Sequence, residues 1–172
     1  DIVATEDNTT IEITPRKPIV GHAQNITFTI TLDAGETWSG RATSTSAGQH
    51  PYGSMVNSDK PIAITISDDS LQGTPYGGCA DLFGDQIVPA EIVGTEYIAI
   101  KGNLNGPDKV FFIPTVPNTT ISVNGNLAYT LTGLTSIYTH TLDGNSAFYE
   151  ASNPVYALHL TGFGCEVGGA LL

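Results

Sequence analysis

The chain has 172 residues, 40% hydrophobic and only 13% charged, so a sizeable core can be buried while Thr, Ser, Asn and Gly cover the surface. Seventeen acidic against 6 basic residues leave a formal net charge of −11, which repels phosphate backbones and anionic lipid and argues against nucleic-acid partners. No stretch approaches the apolar length of a membrane-spanning helix, which argues against membrane insertion, and the Thr-, Asn-, Gly- and Pro-rich mixture is that of extracellular all-β proteins.

The chain opens on Asp1 and closes on an apolar Gly-Gly-Ala-Leu-Leu, so it is expected to be a mature or excised piece of something longer. Residues 10–14 alternate polar and apolar, the pattern of a half-buried strand, until Pro15 and Pro18 stop it. Residues 25–32 alternate again, with Ile26, Phe28, Ile30 and Leu32 on one face. Asp33-Ala34-Gly35-Glu36 reads as a turn, and Thr37-Trp38 opens another strand with Trp38 at a core edge. Residues 43–53 form a loop; Met55-Val56 and residues 61–66 are the closing strands of this first stretch. Residues 71–107 read as a long connector with a Gly-rich loop at 73–78, a short helical turn at 90–93 and a strand at 96–101. Further strands are expected at 110–113, 119–123, 127–131, 135–142, 147–151 and 155–160. Asn124-Gly125 is a type I′ hairpin signal, and Asp143-Gly144 reads as a second one.

The chain also repeats itself. Thr-Glu-Asp-Asn-Thr-Thr-Ile-Glu-Ile at 5–13 returns as Thr-Val-Pro-Asn-Thr-Thr-Ile-Ser-Val at 115–123. Ser-Asp-Lys-Pro-Ile-Ala-Ile at 58–64 returns as Ser-Asn-Pro-Val-Tyr-Ala-Leu at 152–158. The expected architecture is therefore an all-β β-sandwich built from two related antiparallel β-units, residues 1–70 and 108–172, joined by the connector 71–107. Asn8 and Asn118 hold the same place in both copies, which a buried Asn tethering a turn would explain.

Few residues point to chemistry. There is no nucleophile elbow, no zinc-protease His pair and no phosphate loop, and the four histidines are scattered; His159, in a closing strand, reads as structural. Asp68, Asp69, Asp81 and Asp85 flank the Gly-rich loop and would suit calcium, a cation that takes several oxygen ligands. Turn capping by those carboxylates is the simpler reading, and no other cofactor is expected. Tyr52 and Tyr76 in loops, with Trp38 third, are the aromatics placed to touch a protein or a glycan. Cys79 and Cys165, far apart in a chain of exported character, suggest one long-range disulfide, with two buried free thiols as the alternative.

Three segments carry a family resemblance: residues 4–11, residues 32–37 and residues 57–63, which run Ala-Thr-Glu-Asp-Asn-Thr-Thr-Ile, Leu-Asp-Ala-Gly-Glu-Thr and Asn-Ser-Asp-Lys-Pro-Ile-Ala. They resemble the domain named for the N-terminal region of the IgG-Fc-binding protein. Residues 78–89, 94–98 and 162–172 resemble the version of it found in large surface proteins of Bacteroidetes-type bacteria. The second copy departs from the pattern, since Val116-Pro117 stands in place of the Glu-Asp pair. The resemblance implies a non-catalytic, extracellular, cell-surface module of a long adhesin or mucin-like protein, with neighbouring modules in the same chain. Its job would be to space that protein and present a loop to a protein or glycan; a carbohydrate-binding module and a subunit of a surface filament or matrix are the alternatives. Both cysteines fall inside the matching motifs, which favours a Cys79–Cys165 bridge.

Overall fold

A computed structural model of the chain describes residues 1–71 and 78–172, and of Asp69 and Ser70 the backbone alone. Alternation of polar and apolar residues resolves into β-strands, whose pleat sends every second side chain to one face. The described residues hold strands and two short 3-10 turns, at Ala47–Gln49 and Ala90–Ile92. They form two compact units, Asp1–Thr65 and Ile66–Leu172.

The first unit contains β1 (Ile2–Ala4), β2 (Thr9–Thr14), β3 (Phe28–Leu32), β4 (Thr37–Trp38), β5 (Met55–Ser58) and the start of β6 (Ile62–Leu71). One sheet places β1 between β4 and β6; the other runs β3-β2-β5. Ile2, Ala4, Ile11, Ile13 and Leu32 are buried in a core that Phe28, Ile30, Trp38, Val56, Ile62 and Ile64 partly cover.

The second unit continues with β7 (Asp81–Ile87), β8 (Glu96–Ile100), β9 (Asn103–Leu104), β10 (Asp108–Pro114), β11 (Thr119–Val123) and β12 (Asn126–Leu131). It ends with β13 (Tyr138–Leu142), β14 (Ser146–Ala151), β15 (Val155–Gly164) and β16 (Glu166–Leu171). One sheet runs β13-β10-β15-β16, with β9 alongside β15, and the other runs β12-β11-β14-β8. Strand β7 is the neighbour of β6. The core is larger here and includes Tyr97, Val110, Phe112, Ile121, Leu131, Leu142, Tyr149 and Val155.

The repeat written in the sequence is a repeat of pairings. Ala4 faces Ile62 as Pro114 faces Val155, and Ile2 faces Ile64 as Phe112 faces Ala157. Ile2 faces Trp38 as Phe112 faces Tyr138. Thr9 faces Leu32 as Thr119 faces Leu131, and Ile13 faces Val56 as Val123 faces Tyr149. The Asn-Thr-Thr corner is also shared. Asn8 and Asn118 take the left-handed backbone, with φ of 53° and 59°, which Asn tolerates better than most residues. Thr9 and Thr119 are fully buried, and their hydroxyls donate to the Glu6 and Val116 carbonyls at 2.7 and 2.8 Å. Thr5 and Thr115 donate hydroxyl hydrogen bonds to the Pro61 and Pro154 carbonyls, each at 2.7 Å.

Several expectations change in detail. The Asn of the repeated corner is exposed, so the buried tether is the Thr that follows it; Asn is there for its backbone, not its side chain. Asn124-Gly125 does turn with positive φ at both residues, 51° and 79°, between β11 and β12. Asp143-Gly144 does not form a hairpin: neither has positive φ, and β13 and β14 belong to different sheets. Ile26 lies outside β3 and is exposed, because Asn25 turns the chain with φ of 59°. The region read as irregular after Cys79 is largely the strand β7, whose Asp and Gly content hid it.

Candidate partner-binding surface

The inner and outer faces of the β12-β11-β14-β8 sheet have opposite characters. Inward, Tyr97 and Ala99 of β8 pair with Tyr149 and Ala147 of β14 and are buried. Tyr97 is locked there by its phenol, which donates to the Val155 carbonyl at 2.6 Å and receives the Gly94 amide at 2.9 Å. Outward, Ile98 stands opposite Phe148 and Ile100 extends the apolar row, while Leu127, opposite Ser122 on the Glu150 rung, is exposed on the same face. Ile98, Leu127 and Ile100 are 64–71% exposed and Phe148 is 37% exposed, an unusual concentration of bare apolar surface on one sheet face. Glu96 faces Glu150 directly at one end of that row. Two carboxylates placed opposite each other repel, a cost that a cationic group laid between them would relieve. A shallow depression of about 310 Å³ is lined by Glu96, Tyr97, Ile98 and Phe148.

The residues picked out from sequence are dispersed. Tyr52 is exposed in the turn before β5. Trp38 is half-buried, 5.6 Å from the Phe28 ring and 6.1 Å from His22, which itself stacks on Phe28 at 3.5 Å. Tyr76 lies outside the described residues, as does the side chain of Asp69. Asp68 sits on β6. Asp81 and Asp85 project from β7 to β16, where they accept the Val167 amide at 2.8 Å and the Leu171 amide at 2.6 Å. Cys79 and Cys165 form a disulfide across 86 residues of chain. Among the described residues, the three metal-capable side chains with ligand atoms mutually within 4.8 Å are Cys79, Cys165 and Glu166. With both sulfurs in the disulfide, that trio has no thiolate to offer a metal.

Sequence reasoning missed Asp108. It is fully buried on β10, where Oδ2 accepts the Gly102 amide at 2.8 Å and meets His159 Nε2 at 3.1 Å. Its Oδ1 is buried without a hydrogen-bond partner among the described residues. His159, read as structural, is the partner that makes this burial tolerable. No local signal could have found the pair, whose members are 51 residues apart. Elsewhere in the same unit, His140 Nδ1 and the Tyr149 hydroxyl are 2.8 Å apart across the sandwich. Burial pushes the Tyr149 phenol up to about 12, with Tyr138 adding to the effect. Burial also holds the His140 imidazole below its ordinary range, outweighing the opposite pull of Asp143. Both shifts favour the neutral forms, so this contact is a neutral bond stitching two sheets together.

A family model described as IgGFc binding protein matches residues 1–169. No curated protein and no solved structure matches the chain.

Proposed function

Since the chain belongs to the IgGFc binding protein family, a family of binding modules, we propose that it is a non-catalytic extracellular module that binds a protein through the outer face of β12-β11-β14-β8. The observation that carries this reading is the bare Ile98–Phe148 row with the Glu96–Glu150 pair at its end. An apolar surface rimmed by carboxylates suits a partner with an apolar anchor and an adjacent Lys or Arg. We further propose that the module belongs to a long cell-surface adhesion protein of bacterial, Bacteroidetes-like type, beside sibling modules. The disulfide fits an oxidising extracellular setting. Tyr52 and Trp38 of the first unit are secondary candidates for contact, glycan included.

The family name makes the Fc fragment of IgG the first probe. Surface-plasmon titration of immobilised Fc should give saturable binding that weakens by roughly tenfold or more in Ile98→Asp, with the melting temperature kept. Equal binding by wild type and variant would remove this face from the reading. No binding by either would remove Fc as the partner.

A further inference from the structure

Each strand of the first unit's β3-β2-β5 sheet has a counterpart in β12-β11-β14, but the second unit's sheet carries one strand more. That strand, β8, pairs antiparallel with β14, the counterpart of β5. No described strand occupies the same place beside β5. Alternation in the ladder says which groups this leaves open. Asp59 donates its amide to Thr10 at 3.1 Å, so Asn57 and Met55 also bond towards β2, and Val56 and Ser58 point their N–H and C=O groups the other way. The equivalents of Val56 and Ser58 are Tyr149 and Ala151, and their outward groups serve β8; the Ala151 amide, for instance, donates to the Thr95 carbonyl at 2.7 Å. Side chains tell the same story. Tyr149 is 1% exposed beneath β8, whereas Val56, on the equivalent rung, is only half-buried.

We propose that the β5 edge is a strand-addition site, which takes an extended segment of a partner protein antiparallel to β5 in the place β8 occupies beside β14. The second unit specifies the chemistry of the guest. It presents a large apolar or aromatic side chain inward opposite Val56, as Tyr97 does opposite Tyr149, and a small one two residues on, as Ala99 does. Outward it carries Lys or Arg, because Glu12 and Asp59 line the depression of about 330 Å³ beside this edge and the whole chain is anionic. Main-chain hydrogen bonds supply the affinity and the alternate side chains the selectivity. This site lies in the first unit and does not depend on the partner assigned to the second.

A peptide of residues 94–102, carrying Glu96→Lys and a fluorophore, tests the proposal against the intact chain. The peptide should bind saturably by fluorescence anisotropy. Amide shift changes in the isotope-labelled protein should centre on residues 54–59. N-methylation of the peptide at Tyr97 and Ala99, whose amides face the host strand, should weaken binding by roughly tenfold or more, while methylation at Ile98, facing away, should not. Ser58→Pro removes one outward donor and no inner ladder bond, and should weaken binding similarly. If that variant fails to fold, the shift map and the methylated pair on the wild-type chain decide. Shifts centred on residues 146–151 would mean that the peptide displaces β8, and would overturn the proposal. So would equal binding of all three peptides, no binding at millimolar peptide, or a dimer in solution held by this edge.

Discussion

Val56 and Tyr149 occupy the same rung of the same sheet in two copies of one unit, yet one is only partly buried and the other is sealed. The difference is not the rung but its neighbour. Beside Tyr149 lies β8, whose Tyr97 and Ala99 complete a core that also takes in Phe112, Leu131 and Leu142. Beside Val56 there is no described strand, and the buried core of that unit is the smaller set Ile2, Ala4, Ile11, Ile13 and Leu32. Among the described residues the two copies thus share one pairing code and differ in closure. The closed copy turned its apolar surplus outward as the Ile98–Phe148 face. The open copy has a polar outer face, with Thr10, Glu12 and Asn57, and a β5 edge beside which no described strand lies.

The sharpest way to separate the two copies is reduction of the disulfide. Both cysteines lie in the second unit, and the bridge closes 86 residues. Loop-closure entropy assigns such a bridge about 4–5 kcal/mol. Calorimetry with reductant should therefore lower the transition of the second unit and leave that of the first where it was. Equal movement of both transitions would show that the copies do not melt separately.

Next comes the rung itself. Tyr149→Ala empties a fully buried site and removes the His140 contact, so it should cost about 4 kcal/mol by chemical denaturation. Val56→Ala, on the equivalent rung, should cost about 1 kcal/mol, because that smaller side chain is only partly buried. Comparable losses would mean that the first copy is as well closed as the second.

A smaller effect is expected at β7. Asp81 and Asp85 each hold a β16 amide, so replacing either by Ala should cost about 1–2 kcal/mol. Because those carboxylates already serve backbone donors, millimolar calcium should leave the melting temperature unchanged. A rise with calcium, abolished by Asp81→Asn, would restore the cation reading of this acidic group.

How much of this was legible in the sequence depends on range. Thr9 and Thr119, Pro61 and Pro154, and the strand alternation around them are local patterns, and they gave the all-β class and the duplicated unit directly. Asn124-Gly125 was legible because both residues must adopt positive φ, a demand met by few residue types. Asp143-Gly144 carried the same local signal but sits where the chain changes sheets, which no dipeptide records. The outer face escaped notice because Ile98, Ile100 and Phe148 alternate like core residues. Which side of a strand faces the core is fixed by the second sheet, not by the strand. Asp108 escaped for a related reason: its partner is on another strand, brought alongside only by the β10–β15 register.

The subtlest contrast between the copies is one of titration. Tyr97, Tyr138, Tyr149 and Tyr156 all lie in the second unit, and burial is the leading cause that raises each of them above the ordinary value of 10. For Tyr149 the folded value is about 12. Below pH 10 the phenol is neutral in both folded and unfolded chains, and its contribution to stability is fully present. As pH rises past 10 the unfolded chain ionises first, so folding is progressively disfavoured until the folded value near 12 is passed. The second unit's transition should accordingly fall as pH climbs from 10 to 12, and phenolate absorbance should show a late-titrating group that moves to about 10 in urea. Tyr149→Phe should remove that late step. If the step persists in the variant, the sealed rung beneath β8 is not its source, and Tyr149 is as open to water as its partner in the first copy.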